Sequence, residues 1–431
     1  MRLLIKNGRV VDPSSGTDDT LDVLIDGGRI LAVEARIQAA GVPIIDASRL
    51  VVAPGFIDMH THVREPGQEK KEDILSVSRA AAKGGFTTIC SMPNTNPVND
   101  SRRVTEYIIA ESRKRAIINI LPIAAITTGL AGDELADMAD LAASGAVAFS
   151  DDGRCVQNSR IMRQALEQAK RLNALVIAHC EDFNLSRGGV MNEGPTSSRL
   201  GLPGIPAVAE DIMVARDIIL AGAAGARIHI AHLSTRGAVD LVREAKRNKI
   251  AVTAEATPHH LLISDTALEK RDPNLKVNPP VRGAEDVQAL QEAVGEGVVD
   301  VFATDHAPHS PEQKEAGFLQ APFGINGLET AVSLLLDRLV SREIMPLLRL
   351  IEMFSTRPAQ ILGLRGKGRV SPGADADLTI LNLHQEVTVD VRKLASKSRN
   401  NPFDGWKLRG GPHLTIRGGR VVYPFDYSPR T

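Results

Sequence analysis

The stretch GFIDMHTHVREPGQEKKED, Gly55–Asp73, sets an apolar run against two histidines, an arginine and then a burst of charge. Read as a strand, it puts residues i and i+2 on one face. His60, His62 and Arg64 then point the same way where the strand ends. The charged run 69–73 behind them reads as a solvated loop and a helix start. One strand end of this kind is weak, because a solvated turn would explain it equally well. Its weight comes from seven further runs of the same type.

With LVVAPGFIDMH (50–60), these runs are TTICSMPN (87–94), NILPIAAIT (119–127), AVAFSDD (146–152), LVIAHCED (175–182), RIHIAHLS (227–234), IAVTAEATPHH (250–260) and VVDVFATDHAP (298–308). The segments between them, such as DILSVSRAAAKGG and AEDIMVARDIILAGAAG, carry apolar residues at helical spacing and stop at glycine. Eight strand–helix units predict an α/β fold, a (β/α)8 TIM-like barrel with buried parallel strands. A doubly wound sheet is the competing arrangement, and the lack of a glycine-rich phosphate loop weighs against it.

The two ends of the chain read differently. IKNGRVVDP (5–13) and IRGGRVVYP (416–424) share one pattern, a strand residue, a glycine turn, RVV and a proline stop. DVLIDGGRILAV (22–33) is a hairpin signal around Gly-Gly, and ADADLTILNL (374–383) alternates. A small β-sandwich domain built from both termini is expected, residues 1–52 with 366–431, around a barrel of 53–365.

The chain has 431 residues and a net charge of −1, from 51 basic and 52 acidic side chains. That balance gives no electrostatic footprint for nucleic acid or an anionic membrane, so an anionic ligand must be caught by local charge. Three cysteines, Cys90, Cys155 and Cys180, without a CxxC spacing, point to a reducing, cytoplasmic setting. The start is too short in apolar length for a signal peptide, and no apolar run approaches a membrane span.

In a barrel of this type, chemistry gathers at the C-terminal strand ends. Those ends carry His60 and His62, Asn94, Asp151 and Asp152, His179, His232 and Asp305, with His309 four residues on. Imidazole and carboxylate together suit a divalent ion such as zinc, and mixed N/O ligation is the catalytic pattern. Six ligands exceed what one tetrahedral ion needs, so a pair of ions is plausible. His229, three residues before His232, should face away, and so should His306. His259 and His260 are candidates only for outer contacts, and Cys180 reads as a small buried residue.

DMHTHVREPG (58–67) and ATDHAPHSPEQK (303–314) resemble the two signatures of the dihydroorotases in the cyclic amidohydrolase superfamily. MPNTNP (92–97), FSDDG (149–153), AHCED (178–182), HIAHLST (229–235), TPHHL (257–261), KVNPPVR (276–282) and PFGINGLET (322–330) extend the resemblance over nearly the whole chain. It implies reversible closure of N-carbamoyl-L-aspartate to L-dihydroorotate and water in de novo pyrimidine (UMP) biosynthesis. It also implies zinc, one or two ions per subunit. By resemblance, His60, His62 and Asp305 hold one ion, His179 and His232 the other, and Asp152 bridges; strand parity alone does not separate Asp152 from Asp151. AVAFSDDGRC lacks the strand-four lysine that many relatives carboxylate, so the aspartate-bridged subgroup is the one it resembles.

The same resemblance makes Asp305 the general acid/base, with metal-activated hydroxide as its partner. It assigns the substrate carboxylate to Arg64, Asn94 and His309, with His62 nearby, and the polar ring edge to Asn278, Phe323 and Gly324. A homodimer, and by family habit a complex with aspartate transcarbamoylase, complete the expectation. The segment 308–324 is long and polar and reads as a mobile loop over the mouth. A hydantoinase or allantoinase, an inactive partner protein and a metal-dependent deaminase are the alternatives. The REPG after HTH, the intact ligand set and Arg64 weigh against them in turn.

Overall fold

The computed structural model describes residues 2–427. All eight expected strands are present, as Phe56–Thr61, Phe86–Ser91, Asn119–Ala124, Ala148–Ser150, Val176–Ala178, Ile228–Ile230, Val252–Ala256 and Val301–Phe302. They pair in chain order, each parallel to the next. The ring closes where the His62 amide donates to the His306 carbonyl at 2.9 Å and Thr61 bridges His306. Every strand is buried along almost its whole length, as a parallel sheet covered by helices requires.

Helix starts follow local chemistry. Asp73 caps the helix Ile74–Lys83, its carboxylate accepting from the Ser76 amide at 2.8 Å while Ser76 answers the Asp73 amide. Glu72, by contrast, is not part of a solvated loop. It is fully buried and accepts from Ser396 Oγ, which ties the first crossover to the C-terminal part of the chain.

Both termini contribute to one sheet, Leu3–Asp12, Thr17–Asp26, Arg29–Glu34, Ile44–Asp46 and Val51–Pro54 with Leu378–Thr388, Lys407–Arg417 and Arg420–Tyr423. Gly27 and Gly28 take φ +58° and +81° in the hairpin, values a side chain resists. The repeated RVV motif has two outcomes. Around Gly418 and Gly419 it is the expected hairpin. Around Asn7 and Gly8 it is a bulge within one strand, with Asn7 at φ +61° and Gly8 so close to Val52 that a Cβ would lie 2.6 Å away.

The run Leu50–His60 is two strands rather than one. Val51–Pro54 pairs in the terminal sheet, and Phe56 begins the barrel. Gly55 is the crossing point, where a Cβ would sit 2.3 Å from Thr87 Oγ1. Among the described residues, no helix is long and apolar enough to cross a membrane. The three cysteines are free and buried.

Candidate active site

The predicted residues converge at the C-terminal strand ends. A cavity of about 330 Å³, at the small end for ligand sites, is lined by His62, Arg64, Asn94, Asp152, His179, His232, Asn278, Asp305, His309, Phe323 and Gly324, with Val277, Ala307, Pro322 and Gly153. His60 lies directly beneath, fully buried.

Asp58 builds the first wall. It is a buried carboxylate inside an apolar strand, pushed up by burial. It accepts from Thr61 Oγ1 at 2.7 Å and from Thr304, at 2.6 Å from Oγ1 and 3.0 Å from the amide. Strands one and eight are thereby locked together, which fixes His60 and His62 relative to Asp305.

The donor atoms then fall into two groups. His60, His62 and Asp305 form one, and His60, Asp152 and His232 the other, each with ligand atoms within 4.8 Å of one another. Asp152 sits at the centre, 3.3 Å from His60 Nε2, 3.4 Å from His62 Nε2 and 3.5 Å from both His179 Nδ1 and His232 Nε2. Asp151 is elsewhere. Its carboxylate accepts from the Ile126 and Thr127 amides at 2.8 and 3.0 Å, and burial pushes it up to about 6.

The ring tautomers are set from behind. His60 Nδ1 lies 2.6 Å from Glu255, so Nε2 is left facing the cluster. His62 Nδ1 meets Asn94 Oδ1 at 2.9 Å, and His179 Nε2 meets Glu181 at 3.1 Å. Each ring has one nitrogen engaged from behind and presents the other to the cluster. Burial would raise the Asp152 and Asp305 carboxyls, yet the imidazoles hold both well below the usual range. Among the described residues, His60 Nε2 and Asp152 Oδ1 have no hydrogen-bond partner, and His179 Nδ1 faces His232 Nε2 at 2.9 Å. Inward ring nitrogens at such spacing, with two ionised carboxylates, fit one or two divalent cations, whose binding displaces any protons on them. The thiols offer no competing ligand, since Cys180 turns to Asp217 and its thiol is pushed well up by burial.

Three site residues were reached by an unexpected route. Strand one ends at Thr61, so the two-residue alternation does not carry through to Arg64. Arg64 takes φ +69°, His232 +31° and Asp305 +44°, all in the left-handed region. The same departure puts His229 inside the barrel rather than away from the site. It donates to Glu255 at 3.1 Å and holds the carboxylate that orients His60. His306 faces Glu72 at 3.4 Å, away from the cluster. His260 is bonded to Thr257 and the Pro279 carbonyl.

Arg64 is 7% exposed and lines the cavity. Its Nε donates to the Pro308 carbonyl at 3.2 Å, and Nη2 lies 3.5 Å from His309 Nε2. Among the described residues no carboxylate stands within ion-pair distance of it. Glu65 is taken by Arg115, and Glu69 by the Gly67 amide. Burial pushes Arg64 down only to about 10, so it stays a cation. His309 donates Nε2–H to the Phe323 carbonyl at 2.8 Å, and burial beside Arg64 pushes it down to about 2.

Glu255, Glu181 and Asp58 are the supporting residues the sequence reading missed. Each had a signal, an acidic residue within or just past an otherwise apolar strand run.

A family model described as Dihydro-orotase-like matches residues 48–238. Over 98% of both chains, this sequence is 51% identical to a dihydroorotase of Pelotomaculum thermopropionicum. The chain belongs to the dihydroorotase family. A Syntrophus aciditrophicus dihydroorotase is 47% identical over 99% of this chain and 100% of its own. Among solved structures, the L-hydantoinase (dihydropyrimidinase) of Arthrobacter aurescens superposes with a TM-score of 0.89 at 27% identity, over 97% of this chain and 95% of that one. The family's barrel with its terminal sheet is thus the fold of this chain.

Proposed function

We propose that the chain is a zinc-dependent dihydroorotase that interconverts N-carbamoyl-L-aspartate and L-dihydroorotate. The observation that carries the reading is Arg64, a buried cation with no carboxylate partner among the described residues, opening into the same cavity as the His/Asp cluster. A substrate carboxylate fills that vacancy through paired N–H donors. The amide of Asn94 is positioned beside it, since its Oδ1 is engaged by His62 and its Nδ2 is left over. His309, its Nε2–H committed to the Phe323 carbonyl, lines the same side of the cavity and holds that wall beside Arg64. Asn278, whose Nδ2 donates to Glu181 at 2.8 Å, keeps its Oδ1 for the ring edge, with the Phe323 and Gly324 backbone opposite.

His60, His62 and Asp305 would hold one ion, and His179, His232 and Asp152 a second, Asp152 reaching both. Such an ion polarises the attacked carbonyl and lowers the pKa of its water. Asp305, held ionised, takes the proton from the carbamoyl nitrogen during closure and delivers it to the departing oxygen. In the reverse direction it returns that proton to the ring nitrogen. The domain limits near 52/53 and 365/366 belong to this reading, supported by the separate apolar cluster of the terminal sheet. So do a homodimer, an association with aspartate transcarbamoylase and a cytoplasmic location. Sedimentation of the purified chain, alone and mixed, tests the two assemblies.

Two results are expected. Chelation at neutral pH abolishes ring opening of L-dihydroorotate, and zinc restores it at one or two ions per subunit; full activity in metal-free protein would refute the reading. Glu255→Gln, which weakens the hold on His60, lowers metal affinity by about 10–100-fold, measured by competition with a chromogenic chelator.

A further inference from the structure

The segment 310–324, whose residues 322–324 line the cavity, is anchored by a buried lysine. Lys314, at the end of the short helix Pro311–Lys314, is 4% exposed. Its Nζ lies 2.9 Å from the Pro273 carbonyl, 3.2 Å from that of Lys276 and 2.9 Å from that of Pro322. An ammonium has three hydrogens and no acceptor, so three carbonyls satisfy it completely. Among the described residues, no carboxylate forms an ion pair with it. A surface lysine would not be built this way.

The three carbonyls belong to the two walls that face the ring site. Pro273 and Lys276 lead into Asn278, and Pro322 leads into Phe323 and Gly324. The Lys276 carbonyl also accepts from the Gly324 amide at 2.9 Å. Gly324 has no slack of its own, because at φ +143° a Cβ would lie 2.7 Å from the Ala307 carbonyl oxygen. Lys276, in turn, donates to the Leu319 carbonyl at 2.8 Å and stands over the Phe323 ring at 4.9 Å.

We propose that Lys314 is a positioning residue for the reaction read above, its ammonium clamping the Asn278 wall to the Phe323–Gly324 wall so that the ring edge meets both. The neutral amine has two hydrogens and a lone pair, so deprotonation strips one carbonyl of its donor and turns a lone pair toward it. Burial, with Lys276 nearby, pushes Lys314 down to about 7. The clamp is therefore complete below that pH and is lost as pH rises through it. The groups facing Lys314 are Lys276 and Asp272 on one wall, His309 at the start of the loop and Arg399 behind it, with Glu315 on its own helix. His309, pushed down to about 2, is neutral throughout this range. Lys276, also pushed down by burial, and Lys71, pushed down to about 8 by burial beside Arg64, are the other amines that titrate near the site.

The test is the pH profile of KM for N-carbamoyl-L-aspartate, whose carboxylates are ionised throughout pH 6–9. In the zinc-loaded protein, KM should rise as pH passes through about 7. Lys314→Gln should raise KM about 10-fold at pH 6.5 and flatten the profile, with kcat changed far less. A profile that keeps its slope in Lys314→Gln, or a loss carried by kcat alone, would overturn the proposal. If that variant does not fold, NMR of protein labelled at the lysine side chains supplies the readout. One lysine should titrate near 7 in parallel with KM, and its absence overturns the clamp. No turnover of either substrate by wild-type protein would instead remove the functional reading itself.

Discussion

Asp305→Asn is expected to lower kcat in both directions by about 10²–10⁴-fold, the usual scale for loss of a positioned acid/base. Two features of the site give this size. Asp305 lies 3.1 Å from His62 Nε2 and 3.5 Å from His60 Nε2, so its carboxylate belongs to the cluster and lines the cavity at once. The imidazoles hold it ionised, which is the state needed to accept the carbamoyl proton. Asparagine keeps the shape and one oxygen but cannot carry a proton between nitrogen and oxygen. Rapid-quench turnover with metal analysis separates the effects. A deep loss of kcat with zinc retained supports a proton-transfer role, and a loss that merely tracks missing zinc reduces Asp305 to a ligand.

Arg64→Met should leave zinc content unchanged while kcat/KM for L-dihydroorotate falls by about 10²–10³-fold, the loss of a charge-assisted pair of hydrogen bonds in a desolvated site. Arg64→Lys should recover only part of it, because an ammonium cannot present two parallel N–H groups to a carboxylate. The wild-type side chain is already desolvated and held by the Pro308 carbonyl, so little ordering is spent on binding. Steady-state kinetics on both variants checks this. Zinc loss in Arg64→Met would mean that Arg64 supports the cluster rather than the substrate.

Much of this was legible in the chain itself. Parallel strands buried on both faces must be apolar, so the eight runs stood out against amphipathic helices. A polar residue at the end of such a run has no packing purpose, which is why His60, His179 and Asp305 could be picked from sequence. The terminal hairpin at Gly418 was equally plain.

What could not be read has a common cause. Strand parity holds only while the backbone stays extended. Arg64, His232 and Asp305 lie past their strands with positive φ, so alternation could predict neither their direction nor that of His229. Asp58, Glu181 and Glu255 act through partners far away in sequence, and Lys314 bonds to carbonyls, which carry no sequence signature. Asp151 and Asp152 differ only in which way one turn faces. The split of Leu50–His60 at Gly55 depended on the proximity of Thr87, which belongs to the next strand.

The most direct measurement is the ratio of kcat/KM for L-dihydroorotate to that for dihydrouracil, the same ring without the carboxylate, using zinc-loaded wild-type protein and Arg64→Met. A clear preference for L-dihydroorotate in the wild type, collapsing in Arg64→Met at equal zinc content, is the predicted result. Equal or better turnover of dihydrouracil by the wild type would contradict it.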